Sequence, residues 1–163
     1  RDSVASRGLG DVYKRQSWND INGYCLHLGQ RLKSEKFDSV VGVSRGGLIP
    51  ATIIAEEMNV RELRTVGVRS YRLRSGQKET RPILYQTCSP YLMGRVLVVD
   101  DIADTGETFE YLMDHFGKNK AITEIVTCSV FVRRSSSFVP NYFHTDLVGK
   151  DWVVFPWEKP PTS

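Results

Sequence analysis

The residues best equipped for chemistry lie in one stretch, Val96-Leu97-Val98-Val99-Asp100-Asp101-Ile102-Ala103-Asp104-Thr105-Gly106-Glu107-Thr108. Four apolar residues end in two adjacent carboxylates, and Asp-Thr-Gly follows at Asp104. Paired carboxylates suit sugar hydroxyls or a hard cation such as Mg²⁺, which takes oxygen ligands. A short loop holding Thr105, Gly106 and Thr108 before a helix offers free amides, two hydroxyls and a positive dipole end to a phosphate. A phosphorylated ribose carrying Mg²⁺ meets both demands at once.

Such a site must be held by a sheet. The run Val96–Val99 shows no alternation, which is how a strand buried on both faces reads, so it marks the centre of a parallel sheet. Ligands of such sheets bind beyond the carboxyl ends of the strands, where Asp100 and Asp101 sit. Other elements follow the same rules. Trp18, Ile21, Cys25, Leu28 and Leu32 recur at helical spacing, and Ser17 with Asp20 forms a capping-box pattern. Val40–Val43 reads as a strand, Leu48–Met58 as a helix with Pro50 in its first turn. Thr65–Ser70, Glu124–Val132, Tyr142–Phe143 and Trp152–Phe155 read as extended, and Glu107–Phe116 as a helix. Strands alternating with helices predict a single doubly wound α/β domain, its mostly parallel sheet flanked by helices. Tyr71–Pro82 is polar, basic and too hydrophilic for a buried connection.

A second candidate site is Val43-Ser44-Arg45-Gly46-Gly47-Leu48, where paired glycines after a strand let amides turn toward an anion and an Arg adds a forked donor. Asp100 lies 53 positions after Gly47. A third is Arg133, ending an apolar run, with Trp152 following 19 positions on in Asp151-Trp152-Val153-Val154-Phe155-Pro156-Trp157-Glu158.

Together these stretches resemble the type I phosphoribosyltransferases, and among them the xanthine-guanine members. The resemblance covers Ser17 to Glu158. It implies transfer of the phosphoribosyl group of 5-phosphoribosyl 1-diphosphate (PRPP) to a 6-oxopurine in purine salvage, releasing diphosphate and forming a nucleoside 5′-monophosphate. Ser44, Arg45, Gly46 and Gly47 would bind diphosphate, in a loop that in this family often holds a non-proline cis peptide. Asp100 and Asp101 would hold the ribose hydroxyls, directly or through Mg²⁺. Ala103, Asp104, Thr105, Gly106, Glu107 and Thr108 would complete the PRPP site. Asp104 stands where the family's general base stands. Tyr71–Pro82 resembles the family's flexible hood, with Lys78 of Gln77-Lys78-Glu79 touching diphosphate. Trp152 would stack on the purine, Val153 would offer backbone contacts from a short C-terminal base-binding tail, and Trp157 would pack internally. Arg133 departs from the family's Lys, which binds the 6-oxo group. A guanidinium still donates to a carbonyl oxygen, but it is longer and forked.

Composition bounds the alternatives. The chain has 163 residues, 40% hydrophobic and 25% charged, enough for one core. Cys25, Cys88 and Cys128 form no C-x-x-C and no even set, which points to a reducing cytoplasm. A net charge of +3 is too small to imply nucleic acid, though basic residues gather at 61–81. No apolar run reaches the ~20 residues of a membrane span. Residues 1–16 lack an apolar period, and Asp11 to Gln16 reads like a translated sequencing adaptor, so 17–163 is taken as the phosphoribosyltransferase domain and 1–16 as non-native. A receiver domain would carry its acidic pair near the start, whereas 95 residues precede the motif here. His27, His115 and His144 read as structural. A homo-oligomer, dimer or tetramer, is expected from the family. Remaining rivals are a PRPP-sensing regulator of the same fold, or an enzyme for another base.

Overall fold

The computed structural model describes residues 13–72 and 80–159. Eight strands and three helices run in the order β1 (Tyr13–Arg15), α1 (Trp18–Leu32), β2 (Ser39–Ser44), α2 (Leu48–Glu57), β3 (Leu63–Arg72), β4 (Thr80–Gln86), β5 (Gly94–Ala103), α3 (Glu107–Gly117), β6 (Ile122–Arg133), β7 (Tyr142–Leu147) and β8 (Trp152–Val154). Six of the strands form one sheet, ordered β4-β3-β2-β5-β6-β7. All its neighbours run parallel except β3 and β4. The doubly wound α/β architecture read from the sequence is what the chain adopts.

Strand alternation sends side chains to the two faces in turn. Val40, Leu97 and Val99 meet Ile21, Leu28 and Leu32 of α1 and Ile54 of α2 on one face. Val41, Val96 and Val98 meet Phe109, Leu112 and Phe116 of α3 on the other. Each such fully buried side chain contributes roughly 1.5–3 kcal/mol over its exposed state. The start of α1 is the expected capping box: Asp20 N–H donates to Ser17 Oγ (3.1 Å) and Ser17 N–H to Asp20 Oδ2 (3.0 Å).

The structure corrects two expectations. The strand of the acidic motif runs past Val99 to Ala103, because β6 continues the ladder alongside it, with Asp100 opposite Ser129 and Ala103 opposite Val132. The segment expected as an open loop from Tyr71 to Pro82 is strand at both ends, Tyr71 pairing with Arg81 and Arg72 with Thr80. Ile83–Gln86 completes β4, an edge strand whose Ile83 and Tyr85 are exposed, so it carries no alternation to read. Tyr13–Arg15, within the residues 1–16 set aside above, pairs in parallel with Trp152–Val154, and Lys14 Nζ lies 2.8 Å from Asp151 Oδ2.

Candidate functional site

β2 leaves the sheet at Ser44, and the chain turns through Arg45-Gly46-Gly47 into α2. Gly47 N–H donates to Val43 O (2.8 Å), which tightens the turn, and the Ser44–Arg45 peptide is cis. Both glycines are required by what lies beside them. A Cβ at Gly46 would overlap the Asp101 carboxylate, and one at Gly47 would overlap Val99 O and stand 2.9 Å from Asp100 Cα. The turn therefore sits directly on the acidic end of β5.

Asp100 and Asp101 are held where ionisation is costly. Asp101 N–H donates to Asp100 Oδ1 (2.8 Å). Burial, and then the neighbouring Asp101 charge, push the Asp100 carboxyl well above the usual carboxylate range. Burial pushes Asp101 up to about 6, opposed by its hydrogen bonds from Asp100 and the Ile102 backbone. Among the described residues no three His, Cys, Asp or Glu side chains converge to cage an ion. Two adjacent carboxylates nonetheless fit Mg²⁺, which typically takes one or two from protein and the rest from water and substrate oxygens.

Beyond Ala103 the chain forms the second loop. Gly106 adopts φ of 93° at the N-cap of α3, a conformation that favours glycine, and a Cβ there would also stand 2.8 Å from Ser136 Oγ. A segment with no sequence signature braces this loop: Ser137 N–H and Oγ donate to Thr105 O (2.8 and 2.9 Å). Ser137 Oγ also bonds Glu110 Oε1 (2.9 Å). The only hint in the sequence was its Arg-Arg-Ser-Ser-Ser run, polar after a buried strand.

Asp104 and Arg133 are brought together. Arg133 Nε donates to Asp104 Oδ1. Its two amino groups donate to Gly149 O (2.8 Å) and Asp151 O (3.2 Å). Three of the five guanidinium N–H groups are thus engaged, and two remain. The same hydrogen bonds fix the turn that leads to Trp152. Trp152 is 54% exposed while Val153 is buried. An open cavity of about 500 Å³ joins these parts. Arg133, Lys150 and Trp152 line it together with Asp104, Thr105, Glu107, Ser135 and Ser137. Ser44–Gly47, Asp100 and Asp101 are not among the residues that line it. Lys78 lies outside the described residues.

The histidines stand elsewhere. His144 stacks on Tyr24 (centroids 4.2 Å apart) with His27 edge-on to it, and His115 bonds Thr87 Oγ1 (2.8 Å). Trp157 packs on Phe155 (4.8 Å) and Trp18 (5.9 Å).

Residues 15–161 match the phosphoribosyl transferase domain family. The xanthine-guanine phosphoribosyltransferase of Idiomarina loihiensis is 32% identical over 143 residues, 87% of this chain and 84% of that one. Its counterpart from Cereibacter sphaeroides is 29% identical over 150 residues, with the same coverage. Among solved structures, a purine phosphoribosyltransferase from Pyrococcus horikoshii superimposes with a TM-score of 0.77 at 28% identity, covering 93% of this chain and 97% of that one.

Proposed function

Because the chain belongs to the phosphoribosyl transferase domain family, we propose that it transfers the phosphoribosyl group of PRPP to a 6-oxopurine, the reaction class named for its relatives. The observation that carries this reading is one cavity lined by Trp152 and Arg133 together with Thr105 and Glu107 at the N-terminus of α3. A purine stacks on an exposed indole, and a 5′-phosphate suits the Thr105–Thr108 loop, whose amides and helix dipole face an anion. Diphosphate meets the Ser44–Gly47 turn, and the ribose hydroxyls meet Asp100 and Asp101.

In this reading the purine nitrogen bonds to ribose C1′ as the bond from C1′ to the diphosphate oxygen breaks. Diphosphate leaves with the bonding electron pair, and the purine's ring proton is taken by Asp104, which Arg133 holds in place at Oδ1. The free N–H groups of Arg133 donate to the 6-oxo group. Adenine would place an amino donor against them. Mg²⁺ bound with PRPP would sit at Asp100 and Asp101 and offset the charge of the diphosphate. The reading includes a homo-oligomer and a cytoplasmic setting, with which three unpaired, buried cysteines agree. No helix among the described residues is long and apolar enough to cross a membrane.

The test is a spectrophotometric screen of xanthine, guanine, hypoxanthine and adenine with Mg-PRPP. Turnover of 6-oxopurines without adenine supports the proposal. Rapid turnover of adenine overturns the choice of base, and PRPP binding without turnover of any base favours a sensor.

A further inference from the structure

β4 supplied no motif, yet it sends a side chain to the edge of the site. Between Gly67 and Val68 of β3 the register with β4 shifts from Gln86 to Leu84, which leaves Tyr85 as the extra residue of a β-bulge. Bulges re-aim side chains out of the ladder's alternation. Here the phenol ring lies across Gly67, where any Cβ would overlap it. Gly67 is the register partner of Ser44. The ring thus spans from the edge strand over β3 to the end of β2, and its hydroxyl stands 2.9 Å from Ser44 Oγ.

The same ring carries a cation. The Arg69 guanidinium carbon lies 4.5 Å from the Tyr85 ring centroid. Arg69 has no carboxylate partner among the described residues. Arg64, five residues earlier at the amino end of the strand, pairs instead with Glu62 at 2.9 Å. Among the described basic side chains of this run, Arg69 therefore combines a charge without a carboxylate partner with a position toward the carboxyl end of β3. A guanidinium stacked on an aromatic face keeps its N–H edge free, which suits an anion with several oxygens.

We propose that Tyr85 is a positioning residue for the diphosphate turn, and that the Arg69 guanidinium it carries meets the diphosphate of PRPP. Tyr85 acts through Ser44 and Arg69 and does not itself touch the ligand. The inference rests on the functional reading above.

Two conservative variants separate its parts. Tyr85→Phe keeps the ring over Gly67 and under Arg69 and removes only the hydroxyl. Arg69→Gln keeps most of the side chain's length and removes the charge. Calorimetric titration with Mg-PRPP and with diphosphate would be paired with steady-state KM for PRPP and purine, and with melting temperatures. Tyr85→Phe is expected to weaken Mg-PRPP and diphosphate about 3- to 10-fold, and Arg69→Gln about 10-fold or more. Purine KM and melting temperature stay at wild-type values, and Arg69→Lys recovers part of the loss. Wild-type PRPP affinity in both variants, or an equal loss toward purine, overturns the inference while leaving the functional reading intact. Failure of the wild-type protein to bind Mg-PRPP overturns both.

Discussion

Asp101→Asn should make the ligand-free protein more stable while disabling it. Burial pushes the Asp101 carboxyl up to about 6 from an ordinary 3.8. The difference of about two units corresponds to about 3 kcal/mol between its protonation states. The sign follows from proton counting. A folded state whose acid has a raised pKa binds more protons than the unfolded chain, so stability falls as pH rises from about 4 to about 6 and the full cost persists above. Asparagine carries no charge and can donate to the adjacent Asp100 carboxylate, which relieves the like-charge contact as well. Because Asp100 remains and the pair titrates together, a gain of about 1–3 kcal/mol at pH 8 is expected. At about 2–4 °C per kcal/mol for a chain of this size, the melting temperature rises by roughly 2–12 °C. At pH 5 Asp101 is mostly protonated in the folded wild type while the unfolded carboxyl is mostly ionised, so the gap narrows to about half. Mg-PRPP affinity should fall by about 1–3 kcal/mol, the range for a lost charge-assisted contact. Thermal unfolding at pH 5 and 8, with calorimetric titration of Mg-PRPP, reads all three. A variant that melts below wild type at pH 8, or shows the same gap at both pH values, refutes the electrostatic account. Unchanged PRPP affinity removes Asp101 from the site.

Trp152→Ala should raise purine KM at least several-fold, since base stacking on an aromatic side chain is worth about 1–3 kcal/mol. PRPP affinity should stay nearly unchanged, and an equal loss toward PRPP would show that the substitution collapses the tail. Gly47→Ala drives a methyl into Val99 O and toward Asp100 Cα, so it should cost about 1–3 kcal/mol in stability and weaken PRPP; wild-type melting and PRPP titration would show that the turn tolerates the methyl. Arg133→Lys keeps a cation beside Asp104 but loses the fork that reaches both Gly149 O and Asp151 O. It should retain activity and shift the ratio among xanthine, guanine and hypoxanthine, read as kcat/KM; an unchanged ratio would place Arg133 outside base choice.

The central strands were legible because burial on two faces demands uninterrupted apolar residues, as at Val96–Val99 and Val40–Val43. The Ser17 cap, the glycine turn and the Asp104–Thr108 loop were legible because each rests on local backbone chemistry that few residue types satisfy. What escaped has no such constraint. β4 is an edge strand with Ile83 and Tyr85 in solvent, so nothing forces a period on it. The contact of Tyr85 with Ser44 depends on a bulge and spans 41 positions. The brace from Ser137 to Thr105 likewise uses a side chain common in any loop. Arg133 could be placed at the end of a strand, but its sharing among Asp104, Gly149 and Asp151 depends on where the tail returns.

The two acidic elements of the site are treated in opposite ways, and the difference matters for how the proposed chemistry is prepared. Asp104 is matched by Arg133, whose other N–H groups are tied to the backbone of the turn before Trp152. Its position is thereby set before any ligand arrives, which suits a group that must meet one proton in one place. Asp100 and Asp101 have no cation beside them among the described residues, and burial opposes their charge. A ligand bringing hydroxyl donors or Mg²⁺ relieves that opposition, so part of its binding free energy comes from tension the folded chain already holds. The glycines at 46 and 47 let the Ser44–Gly47 turn lie against this pair, so in the proposed reaction the groups that would meet the two ends of the donor's reacting bond are built as one packed unit at the carboxyl edge of β2 and β5.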